Sequence, residues 1–377
     1  MKILFVVTHL LGSGHLSRTL TLARAFQAAG HSVTGASGGM PAAHLNDEGV
    51  PLVQISPLQS DGVDFTRLLD ATGAVAGARY LSDRQVQLCN VVYDTEPDVL
   101  ITELFPFGRR VLREEFEALL KAKKSLPGTS LIFSSIRDIL APPSKPSKAD
   151  FALKTIRTFY DGILVHSDRD VTPLGLSWPV DGLEPYLYYT GFVAPPAAEP
   201  HPALDGKGEI LVSAGGGDVG SALFAFALQA AHQEPERRWR LLLGGAHAIE
   251  RCRDILNDAP ANLTAEPARR DFRQMLYHAA TSVSMCGYNT AQDILQSGCP
   301  AVFVPFEAGQ EVEQTLRATA LSALNQVEVL PASKLTPTAL LACIKHVQSG
   351  PARVARATSD GAAVTVGVVE KMLRSAI

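Results

Sequence analysis

Short apolar runs and longer amphipathic stretches alternate along almost the whole chain, the pattern of parallel strands joined by crossover helices. Residues 3–7 are apolar and β-branched-rich without a break, as a strand buried on both faces should be. The loop THLLGSGHLSR (8–18) then leads into a helix with Leu16, Leu20, Leu22, Ala23 and Phe26 at roughly helical spacing and Gly30 as its terminator. Further strands are predicted at 31–36, 51–55, 99–101, 131–134 and 162–165. Residues 107–124 give the clearest helix: Val111, Leu112, Phe116, Leu119 and Leu120 share one face, and Arg113, Glu114, Glu117 and Lys121 read as a solvated one. The stretch 188–200, with Pro195, Pro196 and Pro200, is the best interdomain linker. Beyond it the alternation restarts. Strands are predicted at 209–213, 239–243 and 262–265, helices at about 219–232 and 273–279, and closing helices at 335–348 and 358–375.

The restart, and a length of 377 residues, imply two domains rather than one core. The expected fold class is α/β, with two Rossmann-like doubly wound domains: 1–190, a linker at 191–200, a second domain at 201–357, and a final helix from 358–377. A formal charge of −4 with no long basic tract argues against nucleic acid as a partner and against a strong electrostatic membrane anchor, leaving weak peripheral membrane contact at most. Cys89, Cys252, Cys286, Cys299 and Cys343 have no Cys-x-x-Cys or paired-His spacing, so they read as buried thiols in a reducing compartment. The first apolar run is too short for a signal peptide or a membrane span, and a cytoplasmic location is expected.

Candidate chemistry concentrates in 284–318, SMCGYNTAQDILQSGCPAVFVPFEAGQEVEQTLRA. An apolar strand ends at Cys286-Gly287, and a helix follows that Asn289 or Thr290 can cap. Helix N-termini beyond the carboxyl ends of parallel strands present unpaired N–H groups to a phosphate. Asp293, a turn further on, can accept hydrogen bonds from a diol such as a ribose. The loop 307–314 offers acceptors and amides to a sugar. One ligand with sugar, phosphate and ribose would span these features.

This order of Gly287, Thr290, Asp293, Gly298, Pro300, Pro305 and the Gln310 to Gln314 loop resembles the donor-binding segment of GT-B glycosyltransferases, especially the MurG-like group. The resemblance implies two domains facing across a cleft and a nucleotide-diphospho-sugar donor, with UDP the expected nucleotide. It implies that Asp293 holds the ribose where the family usually has Glu, and that Glu313 and Gln314 face the sugar. MurG enzymes carry Gln where Glu313 stands. Gly215, Gly216 and Gly217 resemble the family's second glycine loop, facing the diphosphate without a metal. Phe272, in the segment where related enzymes hold the base, reads as a core residue or a platform for that base. The runs TELFPFGRR, SIRDIL and YYTGF look like a bacterial group of predicted MurG-like glycosyltransferases, over nearly the whole chain.

In the first domain, Gly12 and Gly14 let the backbone approach a ligand, and His15 sits where the helix opens. A dinucleotide loop would want Gly where Ser17 stands. In the MurG-like pattern the histidine of such a loop faces the cleft, where it takes a proton from the acceptor hydroxyl or contacts donor phosphates. Arg18 is a lesser candidate, and Glu103 the second choice of base. Phe107, Arg137 and Asp138 follow strands and are expected on the acceptor side. Asp168-Arg169-Asp170 reads as an ordinary loop rather than a metal-binding acidic motif. Neither metal nor other cofactor is expected. The expected reaction is transfer of a sugar to the hydroxyl of a carbohydrate, lipid-linked or small-molecule acceptor. The rivals are a nucleotide-sugar epimerase or hydrolase on the same plan, and a non-catalytic nucleotide-sugar-binding protein.

Overall fold

The computed structural model describes residues 1–10, 13–42, 49–60, 67–128, 130–215, 220–245, 247–307, 312–351 and 360–376. The chain divides into two compact units, Met1–Pro195 with Ser359–Ile377, and Pro196–Thr358.

The first unit is built on β1 (Lys2–Val7), α1 (Gly14–Ala28), β2 (Ser32–Gly39), β3 (Leu52–Ser60), β4 (Leu68–Leu69), α2 (Ala78–Thr95), β5 (Val99–Glu103), α3 (Arg113–Ser125), β6 (Leu131–Arg137), α4 (Pro146–Phe159), β7 (Gly162–His166) and β8 (Leu187–Tyr189). Its sheet runs β4-β3-β2-β1-β5-β6-β7-β8, parallel except for the short β4. Along β1 the side chains alternate between two cores: Leu4 and Val6 join Leu88 and Val92 of α2 and Phe116 of α3, while Ile3, Phe5 and Val7 join Leu20 and Phe26 of α1. A continuous apolar run is therefore what the position demands, since both faces are covered.

Two stretches depart from the sequence reading. The helix expected from Phe107 begins only at Arg113, after a short 3-10 turn at Arg110–Leu112. Ahead of it, Leu104 and Arg109 hold left-handed backbone (φ 72° and 58°), which L side chains rarely adopt and which breaks helical continuity. The Tyr188 end of the proline-rich stretch is not linker: β8 pairs in parallel with β7, placing Leu187 opposite Ile163 and Tyr189 opposite Val165.

Helix α2 went unread because its buried stripe contains a charge. Arg84 is fully buried and donates to both oxygens of Glu115 on α3 (3.0 Å each) and to the carbonyls of Gly38 (3.1 Å) and Ser56. One guanidinium thus ties α2 to α3 and to β2 and the following strand.

The second unit holds β9 (Glu209–Ser213), α5 (Ser221–Gln233), β10 (Arg238–Leu243), α6 (Ala248–Leu256), β11 (Leu263–Pro267), α7 (Phe272–Met275), β12 (Thr281–Ser284), α8 (Tyr288–Ser297), β13 (Ala301–Phe303), α9 (Glu313–Leu321), β14 (Val327–Val329) and α10 (Pro337–Ser349). All its strands are parallel, in the order β11-β10-β9-β12-β13-β14. Ile210, Val212, Leu241, Leu243, Val283 and Val302 pack with Phe224 and Ala227 of α5 and Leu340 and Ile344 of α10. The last helix, α11 (Gly361–Ala376), belongs to the first unit, where Val366 and Val369 share the core of α1 and Glu370 accepts from His31 at 2.9 Å.

Both sheets reverse direction once. In each, the first strand has its second on one side and a later strand on the other: β2-β1-β5 in the first unit, where β5 is the fifth, and β10-β9-β12 in the second, where β12 is the fourth. In open α/β sheets, ligands bind outside the carboxyl ends of the strands at such a switch point.

Candidate active site

In the second unit the switch point opens into a cavity of about 170 Å³ lined by Ser213, Gly215, Leu242, Ala268, Arg269, Phe272, Thr290 and Asp293. Ser213 and Leu242 are at the carboxyl ends of their strands, and Gly215 turns the chain after β9 in the left-handed region (φ 80°), which glycine adopts without strain. Thr290 and Asp293 are one turn apart on α8. That helix begins at Tyr288 with Gly287 as its N-cap, so Asn289 and Thr290 lie inside the first turn and neither caps it. Among the described residues no side chain caps it, and the N-terminus of such a helix suits an anion.

Asp293 is half-buried against the cavity, and its carboxylate is held by Arg273, whose Nε donates to Oδ1 at 2.8 Å. Arg273 also donates to Gln296 Oε1 (2.7 Å) and to the carbonyl of Pro196 (2.8 Å). Burial pushes the Asp293 carboxyl up to about 6, against the opposing pull of Arg273. Arg269 is braced by Asp205 (2.7 Å) and Asp271 (2.6 Å). Those carboxylates and His201 stand close enough together to hold a metal ion, but the guanidinium already supplies positive charge to both acids.

Four residues singled out in the sequence, Gly215, Phe272, Thr290 and Asp293, thus line one cavity. Phe272 is half-buried on its wall rather than filling the core. Gln314, at the start of α9, uses its carboxamide oxygen to accept from the backbone N–H of Phe306 (3.1 Å), bracing the loop; Glu313 opens the same helix. Gly12, Gly216, Gly217 and Gln310 lie outside the described residues. Ser213, Leu242 and Ala268 went unread, because apolar or small residues at strand ends carry no signal of their own.

In the first unit His15 and Glu103, 88 positions apart, meet at the other switch point. His15 Nδ1 lies 2.8 Å from Glu103 Oε1; the same oxygen accepts from Arg18, and Oε2 accepts from Ser135 Oγ at 2.7 Å. Burial of Glu103 opposes its ionisation. The charge of Arg18 and the hydrogen bonds from His15 and Ser135 outweigh that and hold the carboxyl well below the usual range. Arg18 Nη2 also lies 3.1 Å from His15 Nδ1, but the shorter 2.8 Å contact with an ionised Glu103 favours the proton on Nδ1. The imidazole's Nε2 lone pair is then available to accept. Burial also brings the His15 pKa down to about 4, so the ring is neutral around pH 7.

Glu103 and His15 are therefore one unit, not alternative bases. Glu103 is 4% exposed, and its oxygens are already engaged. Arg18, also buried, is part of the same cluster. Two acceptor-side expectations are corrected. Phe107 is buried, with its ring edge-on to Trp178 at 5.2 Å, and Asp138 is wholly buried, so both belong to the interior. Gly14 opens α1, and Arg137 ends β6 half-buried. Asp168 Oδ1 accepts from the Asp170 N–H at 2.9 Å, a local turn as expected of an ordinary loop.

Residues 216–370 match the family described as Glycosyltransferase family 28 C-terminal domain. A curated relative, the UDP-N-acetylglucosamine--N-acetylmuramyl-(pentapeptide) pyrophosphoryl-undecaprenol N-acetylglucosamine transferase of Rhodospirillum centenum, is 26% identical over 167 residues. That match covers 43% of this chain, and the chain spans only 44% of the relative's length. Among solved structures, the glycotransferase of kitacinnamycin superposes with a TM-score of 0.66 at 20% identity, covering 99% of both chains. MurG of Acinetobacter baumannii gives 0.64 at 17% identity, covering 98% of this chain and 99% of its own. Two Rossmann-like units and the fold shared with these structures give the chain the GT-B architecture, and residues 216–370 carry the match to the glycosyltransferase family 28 C-terminal domain.

Proposed function

We propose that the protein is a glycosyltransferase that takes a nucleotide-diphospho-sugar donor in its second unit and an acceptor alcohol in its first. The observation that most supports this is the cavity where the α8 N-terminus and the Arg273-held Asp293 converge beside Arg269 and Phe272. Amides suit a diphosphate, a carboxylate suits a ribose diol, and an aromatic face suits a base. UDP is the proposed nucleotide, since the curated relative's name contains it. The acceptor is a carbohydrate, a lipid-linked sugar or a small-molecule alcohol.

In the proposed reaction His15 Nε2 takes the acceptor's hydroxyl proton, and the oxygen attacks the anomeric carbon. The bond from that carbon to the diphosphate oxygen breaks, and the nucleotide diphosphate leaves with the bonding pair. Amides and arginines supply the positive charge, so activity is expected to survive chelation. Loss of turnover in EDTA, restored by manganese, would contradict this. Among the described residues no helix is long and apolar enough to cross a membrane. All five cysteines are free thiols, which fits the proposed cytoplasmic setting.

A thermal-shift screen of UDP-, dTDP- and GDP-sugars tests the donor assignment, because a ligand that binds the folded state raises apparent stability by mass action. The UDP-sugars should give the largest shift, and no shift with any of the three would sink the assignment. Nucleotide release from the donor without any acceptor would instead support a hydrolase or epimerase on this fold.

Asp293→Ala is expected to weaken UDP binding by about 1.5–3 kcal/mol, roughly 10- to 150-fold, because a charged acceptor is lost from a ribose hydroxyl pair. Binding should also weaken as pH falls through about 6, where the raised Asp293 carboxyl takes up its proton. Calorimetric titration at pH 5 and pH 8 reads both effects. Equal affinity in wild type and variant would remove Asp293 from the site.

A further inference from the structure

A line of hydrogen bonds continues inward from Glu103. Ser135 Oγ, which donates to Glu103 Oε2, lies 3.0 Å from His166 Nε2, and His166 Nδ1 lies 2.9 Å from Thr190 Oγ1. These residues come from the carboxyl-terminal parts of β5, β6 and β7 and from the position just after β8, and all four are buried. Hydrogen positions along the line follow from counting donors. A serine hydroxyl has one proton, and the Glu103 anion claims it. His166 must then supply the proton between its Nε2 and Ser135 Oγ, so the ring carries hydrogen on Nε2. Its Nδ1 is left as an acceptor 2.9 Å from Thr190 Oγ1, whose one proton also has the Gly191 carbonyl within 3.1 Å.

The direction is therefore set from His166 outward: His166 Nε2–H to Ser135, Ser135 O–H to Glu103, with His15 Nδ1–H meeting Glu103 from the other side. We propose that His166 is a positioning residue: as the Nε2–H tautomer it holds Ser135 and Glu103 so that His15 keeps its proton on Nδ1 and its Nε2 lone pair free. This rests on the reading of His15 as the group that accepts the acceptor's proton. Full burial removes the solvent that would stabilise a charged His166, and Arg18 opposes a second positive charge, together outweighing the pull of Glu103. A wholly buried imidazole with both nitrogens partnered has no route to the ligand itself. Its link to Glu103 runs through Ser135.

The test is long-range proton–nitrogen NMR on the full-length, 15N-labelled protein, which distinguishes histidine tautomers by the shifts of the two ring nitrogens. His15→Gln and His166→Gln spectra assign the signals. At pH 7.5 His166 should be the Nε2–H form and His15 the Nδ1–H form. Ser135→Ala, a small change that leaves the core filled, should turn His15 into a mixture of tautomers. His166→Phe, which keeps ring volume without a donor, should do the same, whereas His166→Gln, whose amide can still donate to Ser135, should restore the wild-type His15 signal. Finding His166 as the Nδ1–H or charged form would overturn the proposal, as would a His15 spectrum unchanged in Ser135→Ala, the variant least disposed to misfold. None of these signals depends on turnover. A protein with the expected tautomers that transfers no sugar would overturn the functional reading while leaving the positioning role intact.

Discussion

Replacing His15 by alanine should lower turnover about 100-fold or more while leaving nucleotide binding nearly unchanged, as expected of a group that acts chiefly in the transition state. Three features of its surroundings set that expectation. Its Nδ1 is engaged by Glu103 at 2.8 Å, the carboxylate is ionised because Arg18 and Ser135 reach it, and burial keeps the ring neutral. Accepting a proton creates an imidazolium beside the Glu103 anion, an arrangement that stabilises the charge as it develops. Glu103→Gln should keep the shape but lose that charge, and an amide can present its N–H to Nδ1 and select the wrong tautomer; turnover should fall here too. With His15 at about 4, the acid limb of turnover should lie near pH 4 rather than near 6.5, and the limb near 6 in donor affinity belongs to Asp293. Steady-state rates with a verified acceptor across pH separate the two. A His15→Ala protein that loses nucleotide affinity instead of turnover would make the imidazole a phosphate contact.

Arg84→Met should destabilise the first unit by about 3–5 kcal/mol, the usual cost of removing one partner from a buried ion pair. The methionine fills much of the volume, but Glu115 is left in the interior without its two hydrogen bonds, and the carbonyls of Gly38 and Ser56 lose their donor. Burial already raises the Glu115 carboxyl, with Arg84 opposing; without the arginine it should protonate more readily, so the variant's deficit should shrink as pH falls. Sign and window follow from the shift: an acid whose folded pKa lies above its unfolded value binds more protons when folded, and stability then declines as pH rises between the two values. For a unit of this size the unfolding temperature should drop roughly 10 °C. Differential scanning calorimetry reads it, and an unchanged first transition would show that the pair contributes nothing net. The double variant Arg84→Met with Glu115→Leu should recover much of the loss, since apolar replacements of buried pairs are often neutral.

What could be read from the chain and what could not divides along physical lines. Strands β1, β5, β6 and β7 were legible because both of their faces are buried, which forces an unbroken apolar run. Helix α2 was not, because its inward stripe of Arg84, Leu88, Val91 and Val92 begins with a charge that only tertiary contacts with Glu115 and two carbonyls make tolerable. The second unit's cavity was partly legible because Gly287, Thr290 and Asp293 lie within one loop and the first turns of one helix. Arg273, twenty residues upstream, gave no sign that it would grip Asp293. His15 and Glu103 were each visible as polar residues near strand ends, but their contact depends on β5 lying next to β1, an order that periodicity does not encode. His166 was invisible for the same reason, since it ends a strand two places further along the sheet.

The most direct measurement is hydrogen–deuterium exchange of the full-length protein with and without saturating UDP. The donor assignment predicts slowed exchange in the second unit at 213–215, 268–272 and 287–293, where loop and first-turn amides would meet the nucleotide, and this protection should weaken in Asp293→Ala. Slowed exchange confined to the loop and helix around His15, with none at 287–293, would contradict the account.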